Sequence, residues 1–223
     1  MVKVLFVCLG NICRSPMAEY VFKDMVKKQG IEEIYIDSAA TSSEEIGNSI
    51  HYGTRNKLKE MNIEYGNHLA RQITNKDYEQ FDYIIGMEER NIEDIKKIVG
   101  KDNKNKIYRL LDFSKNPRDI ADPWYTGNFD KTYNDIVEGL KGFLEYLRQE
   151  KEVLLNEKIL EKCLPSYLES DLKNLKEGIK NNVTYLDCLI NELQGSVNSA
   201  FVDGDISEEQ CDYFYRKYIR MEI

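Results

Sequence analysis

The sequence predicts an α/β fold built on a parallel sheet, followed by a small all-helical module. Three observations carry this expectation. Short apolar runs of β-forming residues alternate with helix-length amphipathic segments through the first two thirds of the chain. Strand patterning then stops near residue 150. Beyond it only helical spacing of leucine, isoleucine and aromatic residues continues.

Residues 2–7 read as a buried strand, and 16–28 as a helix with Met17, Tyr20, Val21 and Met25 on one face. Gly30 suits the end of that helix. Residues 33–39 form a second strand, leading through a loop at Gly47 into a helix near 52–62. A third strand over 82–87 precedes a helix over 88–99, closed by Gly100. A short fourth strand over 106–110 is followed by a loop carrying Pro117 and Pro123, then by a long helix starting near Phe129. Such alternation requires crossover helices, so the four strands should lie parallel with helices on both faces, a flavodoxin-like three-layer arrangement. Loops leaving the strand C-termini then share one edge, where open α/β sheets bind ligands.

The predicted boundary at residue 150 divides a domain over 1–150 from a helical extension over 151–223. In the extension, Leu172, Leu175, Ile179 and Val183 follow one helical stripe, and Leu186, Leu189, Ile190 and Leu193 a second. Asp203-Gly204-Asp205 lacks the ligand pattern of a calcium loop and reads as a turn. Ser207-Glu208-Glu209-Gln210 then supplies a capping box for a last helix presenting Cys211, Phe214, Tyr215 and Tyr218. A helical hairpin or three-helix module is expected, with a role in binding a protein partner or in self-association.

At 223 residues, with 42% apolar and 31% charged residues, the composition is that of a soluble globular chain. No apolar run approaches the roughly 20 residues that span a bilayer, and residues 2–7 read as core rather than as a secretory signal. A cytoplasmic location is the expectation, with five cysteines (Cys8, Cys13, Cys163, Cys188, Cys211) as reduced thiols. The net charge of −8, with both segments acidic, excludes nucleic acid and anionic membrane as default partners.

The chemistry concentrates in residues 4–16, Val-Leu-Phe-Val-Cys-Leu-Gly-Asn-Ile-Cys-Arg-Ser-Pro. A strand ends in Cys8, a curved loop follows, and a helix begins beside Arg14, Ser15 and Pro16. Inward backbone N–H groups and the helix dipole would hold an anion and stabilise a thiolate in the same field. Arg14 offers a planar fork to two phosphate oxygens. Cys8 is thereby placed as a nucleophile toward phosphorus rather than as a buried strand-end thiol. Asn11 suits the left-handed backbone of a sharp turn. Ser15 is placed to cap the helix ahead of Pro16.

Together with Asp37-Ser38-Ala39-Ala40-Thr41, His68-Leu69-Ala70-Arg71-Gln72, Phe81-Asp82-Tyr83-Ile84-Ile85-Gly86-Met87 and Asp122-Pro123-Trp124-Tyr125, this run resembles the low-molecular-weight protein tyrosine phosphatases. The resemblance covers residues 1 to about 150 and implies a hydrolase of protein phosphotyrosine or of small aryl phosphates. It implies a cysteinyl-phosphate intermediate and neither metal nor cofactor. Cys8, Arg14 and Asp122 become the catalytic set, with Leu9, Gly10, Asn11, Ile12, Cys13 and Ser15 in the phosphate-binding loop. Ser15 is implied to donate a hydrogen bond to the cysteine sulfur, a role that can hold together with capping. Ser38 and His68 are implied to brace Asn11, and Asp122 is implied as general acid over its rival Asp119. Pro123 restricts Asp122 to extended backbone, which helps to aim it. Trp124 and Tyr125 wall a slot for an aryl group. The opposite wall departs from the family, with Glu44 where an aromatic residue is frequent.

Cys13 reads equally as a loop-packing residue or, by the resemblance, as a redox partner that shields Cys8 in a disulfide. Ile12 stands where protein arginine phosphatases carry threonine, which favours phosphotyrosine and leaves phosphoarginine as the alternative. A thioredoxin-coupled arsenate reductase needs further relay cysteines, and none lies between Cys13 and Cys163. A non-catalytic phosphopeptide-binding module would need neither the thiol nor the acid.

Overall fold

The computed structural model describes residues 1–221, without the side chains of 153–155. It divides into two compact units, Met1–Arg148 and Gln149–Ile223. In the first unit, strands β1 (Val2–Cys8), β2 (Ile34–Ala40), β3 (Tyr83–Gly86) and β4 (Ile107–Arg109) form one parallel sheet in the order β2-β1-β3-β4. Register aligns the strand ends: Cys8 lies opposite Ala40, and Val7 opposite both Ala39 and Gly86, which in turn faces Arg109.

The central strand shows why the sheet needs cover on both faces. Val4, Phe6 and Cys8 join one core with Met17, Phe22, Leu110, Ile136 and Phe143, whereas Leu5 and Val7 join another with Ile73, Ile84, Ile92 and Ile95. Alternate residues thus enter opposite cores, as period-two geometry dictates. Helices α1 (Arg14–Lys28) and α6 (Phe129–Leu160) contribute to the first core. The short α3 (Asn75–Gln80) and α4 (Glu89–Val99) contribute to the second, and α2 (Tyr52–Glu60) packs with α1.

Several boundaries differ from expectation. Helix α1 begins at Arg14, two residues before the predicted start, so Pro16 is its third residue. There the missing N–H is one of the four that no helix satisfies internally, and proline costs nothing. Cys13 is the N-cap residue, so Ser15 lies inside the helix and does not cap it. At the other end Gly30, at φ 67°, donates to Lys27 O while Ile31 donates to Val26 O, the glycine-capped ending that the sequence signalled. Helix α3 was not expected; a Thr74–Asp77 capping box starts it. Helix α5 (Pro123–Thr126) was also unexpected and begins at an Asp122 cap.

The second unit contains α7 (Ser166–Lys180), α8 (Leu186–Val202) and α9 (Glu208–Phe214), the last continuing through a π-turn over Tyr215–Ile219. Leu168, Leu172, Leu175, Leu193, Val197, Ala200, Ile206, Tyr213, Phe214 and Tyr218 form its core. The Ser207–Gln210 capping box is present. Ile179, expected on the buried stripe, is 46% exposed, and Val183 lies beyond the end of α7, so that stripe stops after Leu175. Glu161 accepts from Tyr213 Oη (2.7 Å), Tyr218 Oη (2.5 Å) and Lys176 Nζ (2.5 Å), which satisfies two hydroxyls that the core would otherwise strand. No helix among the described residues is long and apolar enough to cross a membrane.

Candidate active site

The parallel sheet delivers four chain segments to one edge. The loop after β1 carries 9–13, the loop after β2 carries Thr41 to Gly47, and Glu88 follows β3. The chain after β4 returns with Ile120 and Asp122. Backbone bonds lock these segments together: Thr41 donates to Cys8 O, Ser42 to Leu9 O, His51 to Ile12 O and Ile120 to Met87 O, at 2.8–2.9 Å.

The cysteine loop wraps its own thiol. The Asn11 backbone N–H points to Cys8 Sγ at 3.3 Å, and Ser15 Oγ lies 3.1 Å from the same sulfur. The loop runs straight into α1, so the unpaired first-turn N–H groups and the positive dipole end of that helix lie at the loop. Asn11 has φ 56°, the left-handed conformation expected of it, and is fully buried. Its Nδ2 donates to Ser15 Oγ (2.9 Å) and Ser38 Oγ (2.8 Å), while its Oδ1 accepts from the Arg71 N–H (3.1 Å). All hydrogens of the amide are used. Because Ser15 Oγ accepts from Asn11, its own proton is left for Cys8 Sγ or for Ala39 O at 3.3 Å.

Ser38 passes the chain of donors on to Glu19 Oε2 at 2.5 Å. His68 reaches the loop through the Asn11 main chain, its Nε2 lying 2.7 Å from the Asn11 main-chain oxygen. Its Nδ1 faces Glu19 at 3.9 Å. Glu19 and Arg71 were therefore missed by sequence reasoning. Arg71 is itself clamped between Asp37 (2.8 Å) and Asp77 (3.0 Å).

Arg14 is 1% exposed. Its Nη1 donates to Ile120 O (3.1 Å), and its Nη2 to both Asp122 Oδ2 (2.6 Å) and Glu88 Oε1 (2.9 Å). Burial opposes the charge, yet Cys8, Asp122 and Glu88 outweigh it and hold the guanidinium above its ordinary pKa. Its Nε is buried without a partner. A donor left over on a buried guanidinium beside the thiol fits an anion that completes the fork. Asp122 Oδ1 accepts from the Trp124 N–H at 3.0 Å, so the carboxylate both caps α5 and meets Arg14. Asp119 is elsewhere, bound to Arg109 (2.8 Å) and the Glu89 N–H (3.0 Å).

Above this floor opens a cleft lined by Cys8, Leu9, Gly10, Ile12, Cys13, Ser42, Glu44, Glu45, Asp122, Trp124 and Tyr125. The predicted walls, Glu44, Trp124 and Tyr125, all line it. Trp124 is 56% and Tyr125 77% exposed. His51 stacks parallel to Phe129 (5.3 Å) and edge-on to Trp124 (5.4 Å). Burial and the nearby Arg55 push the His51 imidazole below its ordinary pKa, so the stack holds a neutral ring. Cys13 is buried. Burial, then the charges of Cys8 and Asp122, push its thiol up to about 12 against a hydrogen bond from Thr54 and the pull of Arg14. The thiol is therefore protonated at neutral pH. Among the described residues no cluster of His, Cys, Asp and Glu is arranged to hold a metal ion.

Comparison with known proteins reaches the same place. Residues 3–153 match the family model for low molecular weight phosphotyrosine protein phosphatase. The chain belongs to that family. Among its relatives is YfkJ, the low molecular weight protein-tyrosine-phosphatase of Bacillus subtilis, 43% identical over 156 residues, covering 69% of this chain and all of the relative. The crystal structure of YfkJ superposes with a TM-score of 0.66 over 68% of this chain and 97% of the other. The Gallus gallus phosphotyrosine protein phosphatase is 45% identical over 148 residues, 64% of this chain and 93% of its own. A more distant likeness is DARP, the drosophila arginine phosphatase, at 33% identity and TM-score 0.61 over 66% of this chain and 98% of that one. Residues beyond 153 lie outside the family match.

Proposed function

We propose that this protein hydrolyses phosphotyrosine in proteins by way of a cysteinyl-phosphate, with Cys8 as nucleophile, Arg14 as phosphate ligand and Asp122 as general acid and base. The carrying observation is the convergence of Cys8 Sγ, held by the Asn11 N–H and Ser15, with an Arg14–Asp122 pair 2.6 Å apart at the base of one cleft. Arg14 takes two equatorial phosphate oxygens through Nε and Nη2, the loop N–H groups and the N-terminus of α1 taking the others. The phosphate thereby competes with Asp122 for Nη2. In the first step the Cys8 thiolate forms an S–P bond as the P–O bond to the phenol breaks, and Asp122 gives its proton to the departing oxygen. In the second, Asp122 takes a proton from water as that water attacks phosphorus, and Cys8 leaves as thiolate, assisted by the Ser15 hydroxyl. Trp124 and Tyr125 flank the aryl group, and Ile12 keeps that side of the cleft apolar.

Phosphoarginine is the second reading, because the Glu44 carboxylate in the cleft wall suits a guanidinium leaving group. Turnover of matched phosphotyrosyl and phosphoarginyl peptides by the full-length protein decides between them, with Cys8→Ser as the control. Preference for phosphotyrosine with loss of turnover in Cys8→Ser is expected. Preference for phosphoarginine overturns the substrate assignment, and undiminished turnover by Cys8→Ser overturns the mechanism.

A further inference from the structure

The mouth of the cleft has an unusual charge balance for a site that takes a dianion. Its lining includes two carboxylates besides the proposed acid Asp122, namely Glu44 and Glu45, and neither lysine nor arginine. The one guanidinium beneath it, Arg14, already faces two carboxylates as well as Cys8. Arg55 acts on His51 and does not line the cleft. Glu45 is fixed in place: it accepts from Asn48 Nδ2 at 2.7 Å, and a Cβ built on Gly10 would stand 3.1 Å from its Cγ. Its side-chain stem therefore packs against Gly10 of the cysteine loop, and the residue lines the cleft. Glu44 bonds through its backbone N–H to Ser42 Oγ, and its carboxylate has no hydrogen-bond or ion-pair partner among the described residues.

A phosphate monoester approaching this mouth meets like charge before it reaches the buried Arg14 Nε. A peptide can offset that repulsion only by bringing cations with it. Residues in an extended peptide rise about 3.3 Å each, so lysine or arginine one to three positions from the phosphotyrosine reaches the rim. We propose that Glu44 and Glu45 select phosphotyrosyl peptides flanked by lysine or arginine. The proposal rests on the phosphotyrosine reading and names its substrate class.

The test measures kcat/KM of the full-length protein on matched phosphotyrosyl peptides whose flanking positions carry either lysine or glutamate. Hydrolysis of p-nitrophenyl phosphate is followed in parallel. Exposed ion pairs at this rim predict a threefold to tenfold advantage for the lysine peptide, roughly, at low ionic strength. The advantage shrinks toward unity in about 1 M salt, where screening acts within roughly 3 Å. Glu44→Gln, which removes the charge of a carboxylate without partners, lowers the ratio, and Glu44→Lys with Glu45→Lys inverts it. A ratio near one, a preference for glutamate, or a lysine preference that ignores Glu44→Gln overturns the proposal. Absence of p-nitrophenyl phosphate hydrolysis would instead overturn the phosphatase reading beneath it.

Discussion

Replacing Asn11 by alanine tests whether the loop is held by a side-chain network or by its backbone alone. The amide makes three hydrogen bonds at 2.8–3.1 Å, to Ser15, Ser38 and the Arg71 N–H, in a fully buried setting. At about 1 kcal/mol each, their loss costs about 3 kcal/mol. Alanine at φ 56° adds about 1 kcal/mol, because the left-handed region is unfavourable for a residue with a Cβ and no local hydrogen bond to offset it. Asn11→Ala should therefore lose about 4 kcal/mol. Asn11→Gly loses the same bonds without the Cβ penalty, but its greater unfolded-state entropy offsets most of that gain, so it should lie at most roughly 0.5 kcal/mol closer to wild type.

Urea unfolding followed by fluorescence of Trp124, the only tryptophan in the chain, reads the first unit. The same variants should lose at least about tenfold in kcat toward p-nitrophenyl phosphate, since Asn11 orients Ser15 against Cys8 Sγ. A loss under about 1 kcal/mol for Asn11→Ala refutes the bracing role. Full destabilisation with unchanged kcat refutes the link from bracing to chemistry.

Asp122→Asn should lower kcat on aryl phosphates by roughly 10²–10⁴, whereas Asp119→Asn, whose carboxylate is occupied by Arg109 and Glu89, should stay within a few-fold of wild type. The reverse order sinks the assignment of the acid. Because the Cys13 thiol is pushed from an ordinary 9.0 to about 12, it stabilises the fold fully below pH 9. That contribution is lost as pH rises toward 12, since the unfolded chain gives up the proton first. Thermal midpoints between pH 9 and 11 should consequently fall more steeply for wild type than for Cys13→Ala, and parallel slopes contradict the buried neutral thiol. Gly142→Ala places a Cβ 1.9 Å from Phe113 O, so backbone must move. We expect a loss of about 3 kcal/mol or more in urea unfolding, and a loss under about 1 kcal/mol shows that α6 can shift at no cost.

Much of the first unit was legible because each strand repeats one signal, an apolar run followed by a helix-length amphipathic segment. The cysteine loop was legible for a different reason, as its residues act on one another at short range along the chain. Cys8, Asn11 and Ser15 are joined across seven positions. Glu19 was not legible. On α1 it sits four residues before Lys23 and bonds to it, which reads as an ordinary solvated pair. Its burial follows from the meeting of Ser38 and His68 on its other side, 19 and 49 positions away. Glu88 was hidden similarly, since only the sheet order sets the end of β3 beside Arg14. Helix α3 escaped because its six residues are too few for helical periodicity to register.

The sheet order also explains which parts of the site are fixed and which are adjustable. β1 is bonded on both sides, by β2 and β3, so Cys8 ends a strand held within the sheet. Asp122 arrives 13 residues after the last ladder partner of the edge strand β4 and reaches the centre through side-chain bonds to Arg14 and the start of α5. A nucleophile gains from rigidity because its line of attack is narrow. A carboxylate that, in the proposed mechanism, trades Arg14 for a proton gains from being held by exchangeable bonds. The topology thus assigns the stiff strand to the thiol and the looser return to the carboxylate. Shortening the 110–121 segment should therefore damage leaving-group protonation before it damages phosphate binding, seen as a kcat deficit that is largest for leaving groups of high pKa while the inhibition constant for inorganic phosphate holds. Equal deficits across leaving groups, or a parallel loss of phosphate affinity, would show that the two functions are not divided this way.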